Sequence, residues 1–220
     1  MPGAGTTAHA GNRSAPRPLI LAAIGVVGFG CVITQLTLMR EMLGAFSGNE
    51  VVLGILLGAW LLLTGLGAAL GRTAQRVPGP GVLLVVGLLL LGVLPLGQTF
   101  LLRVARDAVF GRGQMIGPVE TAACCLLLLL PFCVVSGYLL PLACTLLGPD
   151  PRRAGIGWVY IADGIGSVLG GALFSFALIR WFDHFTILYL SALPALFLAG
   201  LLAWSGGNRW WLATATATGA

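Results

Sequence analysis

Charge is what this chain lacks most. Asp, Glu, Lys and Arg make up 9% of its 220 residues, where a soluble domain carries about 25%. That scarcity excludes an ordinary water-soluble fold, and the chain is instead 58% hydrophobic. Lysine is missing altogether, so all 12 basic residues are arginine. A bias of that extent makes any single arginine less diagnostic of bidentate chemistry. The formal net charge of +5 is spread over the ends of apolar runs without a dense basic cluster. It therefore speaks for membrane orientation and surface attraction, with no sign of a nucleic-acid partner.

Catalytic patterns are missing too. The sequence contains no Ser/His/Asp set, no zinc-helix motif and no phosphate loop. The five cysteines, Cys31, Cys124, Cys125, Cys133 and Cys144, lie inside apolar runs without CxxC or Cys/His spacing. They read as reduced, small hydrophobic core residues, which gives no disulfide framework, no metal site and no cofactor. Of the two histidines, His9 lies in a loose polar lead and His184 beside Asp183 reads as a solvated turn. An enzyme would have to be assembled from isolated groups.

Long apolar runs are what the chain does have. A membrane span needs about 20 such residues, and six candidates follow: Pro18–Met39, Val51–Leu70, Gly81–Leu102, Pro118–Leu147, Ile156–Ile179 and Phe185–Trp204. The predicted fold is an all-α, six-helix membrane bundle over residues 18–205. A disordered lead (residues 1–17) precedes it and a short interfacial or disordered tail (206–220) follows, with Trp210 and Trp211 suited to the interfacial belt. Arginine placement gives the orientation. With both termini in the cytoplasm, Arg13, Arg17, Arg72, Arg76, Arg152, Arg153 and Arg209 lie inside, while Arg40, Arg103, Arg106, Arg112 and Arg180 lie outside. The loop from Arg103 to Gln114 reads as an amphipathic interfacial turn.

Helices in lipid associate through close backbone approach and polar contacts, so glycines mark packing faces. In the fifth helix Gly166, Gly170 and Gly171 belong to a broad small-residue face, and the second offers Gly54 and Gly58, then Gly67 and Gly71. Those two faces predict that the second and fifth helices pack together. The fourth helix contains Pro131 and Pro141, which free carbonyls that a neighbour or a hydroxyl such as that of Ser136 must satisfy. The string Gly164, Gly166, Gly170, Gly171 misses the dinucleotide fingerprint by one residue and has no strand before it, so it reads as a packing surface.

Asp163 stands inside the fifth helix, where a central charge costs about 2.5–3.5 kcal/mol on insertion scales. It reads either as a structural acid or as a proton- or substrate-coupling group. As a structural acid it would pair with Arg72 of the second helix, or be protonated and hydrogen-bonded to Tyr160 or Ser167. A second polar cluster joins the first two helices. In it Gln35, Arg40 and Glu50 act as caps and interface anchors, or form a pocket near the outer surface.

These stretches also carry a resemblance. Gln35 followed by Arg40, the Gly48-Asn49-Glu50 start of the second helix, Gly137 with Pro141, and Tyr160, Asp163, Gly166, Ser167 and Gly170 in the fifth together resemble the membrane region of spermidine synthase-like integral membrane proteins. That region is itself similar to half of a major facilitator-type transporter. The resemblance implies a bacterial inner-membrane protein in which helices precede a soluble aminopropyltransferase domain. Thr34 departs from the pattern, where many members have an aromatic, and the soluble domain has no counterpart in this sequence. Two expectations follow. One is a non-catalytic membrane module that assembles with a separate soluble aminopropyltransferase-like subunit or with a membrane partner. The other is a small homodimeric transporter of a polyamine or other metabolite that uses Asp163.

Overall fold

The computed structural model describes residues 17–46, 50–77, 79–109, 117–148 and 155–217. Its elements are α1 (Arg17–Ala45), α2 (Glu50–Leu70), a 3-10 turn (Gly71–Arg76), α3 (Pro80–Val109) and α4 (Pro118–Leu147). They continue with α5 (Gly155–Leu173), a π-helical stretch (Phe174–Leu178), the short α6 (Ile179–Trp181) and α7 (His184–Ala217). The stretch from α5 through α6 forms one span, Gly155–Trp181, so six helices are long and apolar enough to cross a membrane. This is the expected all-α, multi-pass bundle. The expected lead, with His9, lies outside the described residues, as do Gly48, Asn49 and most of the loop after Val109. Helix α7 runs past Trp204 to Ala217, so the expected tail continues as helix; the side chains of Trp210 and Trp211 lie outside what is described.

Local sequence explains the helix ends. Helix α4 opens with Pro118, at a position whose N–H has no intrahelical partner anyway, and closes on Gly148, whose φ of 78° suits a residue without a Cβ.

Helix pairing departs from expectation. Helix α2 lies along α4, α1 along α5 and α3 along α7, while α2 and α5 barely meet. Gly54 and Gly58 are exposed, with nothing within 4 Å of where a Cβ would stand. Small-residue spacing shows that a helix has a face open to close approach; it does not name the partner. The glycines that do pack are buried against backbone. A Cβ on Gly166 would run into the carbonyl oxygen of Gly25, and one on Gly170 would stand 2.6 Å from that of Phe29. Gly171 lies more loosely, 3.6 Å from a Val32 methyl.

The packing also repeats itself. Exchanging α1 with α4, α2 with α5 and α3 with α7 turns the α1–α5 contact into α4–α2 and the α1–α7 contact into α4–α3. The tight crossings obey the same exchange. Gly28 abuts the Asp163 carbonyl while Gly166 abuts that of Gly25; Gly137 abuts the Thr64 carbonyl while Gly67 abuts that of Val134. The segments that supply these contacts match in sequence, TGLGAALG (Thr64–Gly71) against DGIGSVLG (Asp163–Gly170). Each repeat holds an odd number of spans, so the second runs through the membrane inverted relative to the first.

Between the crossings the core is filled by large apolar side chains, among them Ile24, Leu38, Leu56, Leu88, Leu129 and Leu142. The Trp60 and Phe132 rings meet at 5.6 Å with a tilt of 51°, a favourable aromatic geometry. Several buried polar side chains donate to backbone carbonyls, while Gln98 Oε1 is buried without a partner among the described residues. Ser136 donates to the Cys133 carbonyl at 3.0 Å, and Thr99 to that of Pro95 at 2.9 Å. The Gln98 amide of α3 donates to the Leu128 carbonyl at 2.6 Å, one residue from the carbonyl that Pro131 leaves without its helical donor. The cysteines are free thiols, with Cys125 and Cys133 buried.

Candidate functional site

Polar side chains collect at one end of the bundle, where α1 and α3 finish and α7 begins. Arg40, Glu41, Gly44 and Ala45 all lie in the last turns of α1, and residues four apart stack on one helical face. With Leu102, Arg103, Arg106 and His184 they line a cavity of about 220 Å³. Glu41 is the hub. Its Oε1 accepts from the Arg103 guanidinium and, at 2.5 Å, from His184 Nδ1, while Oε2 accepts from Arg103 Nε at 3.4 Å. An ionised carboxylate only accepts, so His184 carries its proton on Nδ1. The Glu41 side chain is 11% exposed; its two donors replace the water that burial removes. Arg103 also stacks over the Phe185 ring, 4.6 Å from its centroid, in cation–π geometry.

Asp183 positions His184. Its carboxylate accepts from the Thr186 hydroxyl at 2.5 Å and from the Thr186 N–H at 3.4 Å, which caps the start of α7. The Thr186 hydroxyl bond is the main cause that holds the Asp183 carboxyl below its ordinary range. Asp183 is exposed, as expected of a solvated turn, while His184 is partly buried and reaches back to Glu41. Sequence reasoning missed Glu41, Arg103 and His184 as a unit because they are 62 and 143 residues apart.

The expected pocket of Gln35, Arg40 and Glu50 does not form. Gln35 is five residues from Arg40, which turns it about 140° around the helix and places it about 7.5 Å along it. Glu50 opens α2 with its side chain exposed and is not part of the cavity wall. Of the three, only Arg40 lines the cavity.

Asp163 lies half-buried on α1. A Cβ at Gly28 would stand 2.8 Å from its Oδ1 and 3.0 Å from Ser167 Oγ. Among the described residues no ion pair joins Asp163 to Arg72, because α5 packs on α1 and α2 packs on α4. Arg72 instead lines a groove of about 710 Å³ at the opposite end of the bundle, with Pro141, Thr145, Ile156 and Tyr160. Tyr160 is exposed; Arg72 and Tyr160 share the wall of this groove, and Asp163, one turn along α5 from Tyr160, is not part of it. No cluster of metal-ligating side chains occurs among the described residues. Comparison with known protein families, with characterised proteins and with solved structures finds no match to this chain.

Proposed function

We propose that this chain is a non-catalytic membrane module that anchors, or assembles with, a separate soluble enzyme or a membrane partner, a reading that follows the resemblance to the membrane region of spermidine synthase-like proteins. The observation that carries this reading is the bareness of the fifth span. In its most apolar stretch 22% of residues are buried, against 33–39% in the other five spans. Lipid alone would cover large apolar side chains, but this face also holds Gly157 and Gly164, with open space where a Cβ would stand, and the exposed Ser175 and Tyr160. Small and polar residues gain from a helix partner more than from lipid tails. The resemblance supports a bacterial cytoplasmic membrane, and the seven arginines on one side against five on the other support an orientation with both termini inside.

The test is a Gly164→Cys variant in a cysteine-free background, cross-linked in native membranes. A cross-linked product that is lost on adding Gly157→Leu supports the assembly. A single photobleaching step per particle in liposomes, with no cross-link, overturns it.

A second reading, a homodimeric transporter, rests on the inverted repeat. Secondary transporters are commonly built that way, with substrate held between repeats. Spermidine uptake into proteoliposomes, abolished by Asp163→Asn, would favour it.

A further inference from the structure

Three guanidinium groups surround the cavity at the Glu41 end, and among the described residues only that of Arg103 has a carboxylate partner. Arg103 is held by Glu41 through two of its nitrogens and by the Phe185 ring beneath it, which fixes the plane of its guanidinium while half of the side chain stays exposed. Arg40 and Arg106 stand on the same wall, both exposed, and neither has a carboxylate partner among the described residues. The charge of Glu41 is already shared between Arg103 and His184, with Oε1 accepting from both and Oε2 from Arg103 Nε. The nearby Asp183 is committed to Thr186. The local balance is positive, and the free donors are planar forks suited to oxyanions.

From this juxtaposition we propose that the cavity formed by Arg40, Arg103 and Arg106 is a binding site for a phosphate-bearing anion. The volume of about 220 Å³ is below the range of about 300–1,000 Å³ for drug-sized ligands, and so suits a phosphate group rather than a large metabolite. Forks converging from two helices match a tetrahedral, multiply charged group better than a flat carboxylate. The site lies where α1 and α3 end and α7 begins, at the ends of three candidate membrane spans, the level at which lipid headgroups flank a hydrocarbon core. Glu41 and His184 act here as positioning residues: Glu41 holds Arg103 and His184 holds Glu41, and neither touches the anion. The site is independent of the α5 face invoked for assembly.

The experiment uses the full chain in phosphatidylcholine nanodiscs, with two probes. Inorganic phosphate is titrated while thermal unfolding is followed, against chloride at matched ionic strength. Separately, mixed nanodiscs containing phosphatidylglycerol are opened in a native mass spectrometer and retained lipid is counted. Arg40→Gln and Arg106→Gln are exposed changes that leave the fold intact; each is expected to weaken phosphate binding, phosphatidylglycerol retention or both by about tenfold, while Arg72→Gln at the other end changes neither. A response to free phosphate alone assigns the site to a soluble phosphate ester, retention of phosphatidylglycerol alone to a lipid headgroup, and both to the shared chemistry. The proposal is overturned if neither probe binds, or if binding is the same in Arg40→Gln and Arg106→Gln as in the parent chain. It is equally overturned if Arg72→Gln lowers binding as much as they do.

Discussion

Gly166 of α5 sits so close to Gly25 of α1 that any Cβ at position 166 would collide with the Gly25 carbonyl oxygen. The obstacle is backbone, which cannot swing aside as a flexible side chain would. Gly166→Val should therefore force the helices apart at a cost of about 3 kcal/mol or more, read as a fall in folded yield and in unfolding midpoint in mixed micelles. Gly67→Val, its counterpart against the Val134 carbonyl, should cost a similar amount. Gly58→Ala, which meets nothing within 4 Å, should leave stability unchanged. Equal effects at positions 58 and 166 would contradict the packing described.

Glu41 holds two partners, so its loss should cost more than the loss of either one. Glu41→Gln keeps the shape but removes the charge that Arg103 and His184 share, and about 1–3 kcal/mol of stability should go with it. Arg103→Gln should cost about 1 kcal/mol or less, since that side chain is half exposed and solvent screens it. Chemical unfolding of the three proteins gives the ranking, and the hub assignment fails if Arg103→Gln proves the more damaging.

The cap on α7 gives a pH dependence with a definite sign. The Asp183 carboxyl is held below its ordinary value of 3.8, chiefly by the Thr186 hydroxyl, so its ionised form is favoured in the folded chain. Its contribution is fully present above 3.8 and is lost as pH falls through the depressed value. Protection of the Thr186 and Ile187 amides against hydrogen exchange, corrected for intrinsic rates, should decline only in that acid range. Asp183→Ala should show the unprotected behaviour at every pH. If the alanine variant stays protected, the cap is not what orders the start of α7.

Much of this architecture was legible from residue type alone. Six apolar runs separated by arginines and prolines fixed the number of spans, because lipid leaves no alternative to satisfying backbone groups within each helix. Partner choice was harder. Gly54 and Gly58 have the same spacing as Gly166 and Gly170, yet only the latter pair is buried, since spacing encodes a face and not its neighbour. Gly67 and Gly71, with the same spacing in the same span, do pack, and the internal match of TGLGAALG with DGIGSVLG is the signal that pairs Gly67 with Gly166. The Glu41 cluster was legible in part. Arg40, Arg103 and His184 all fall on one side of the membrane by simple counting, but convergence of α1, α3 and α7 is a tertiary fact. Glu41 itself, beside Arg40, marks a helix end in the sequence and carries no local sign of partners 62 and 143 residues away.

Asp163 and Arg72 should behave as strangers. Asp163 rests on Gly28 of α1, while Arg72 opens onto a groove beside Pro141 and Tyr160, with no shared partner among the described residues. Asp163→Asn preserves the shape that fits against Gly28, so it should fold with near-parent yield. Arg72→Ala, on an exposed side chain, should change stability by no more than about 0.5 kcal/mol. In the double variant the two effects should add within about 0.3–0.5 kcal/mol, measured by unfolding in mixed micelles. An ion pair across the bundle would instead give a clear coupling energy, with Arg72→Ala nearly silent once Asp163 is already neutral. Gly28→Ala offers the complementary check: its methyl would intrude on the Asp163 carboxylate and carbonyl, so it should destabilise the chain even though no charge is altered. If Gly28→Ala is silent, Asp163 does not lie where the α1–α5 crossing puts it.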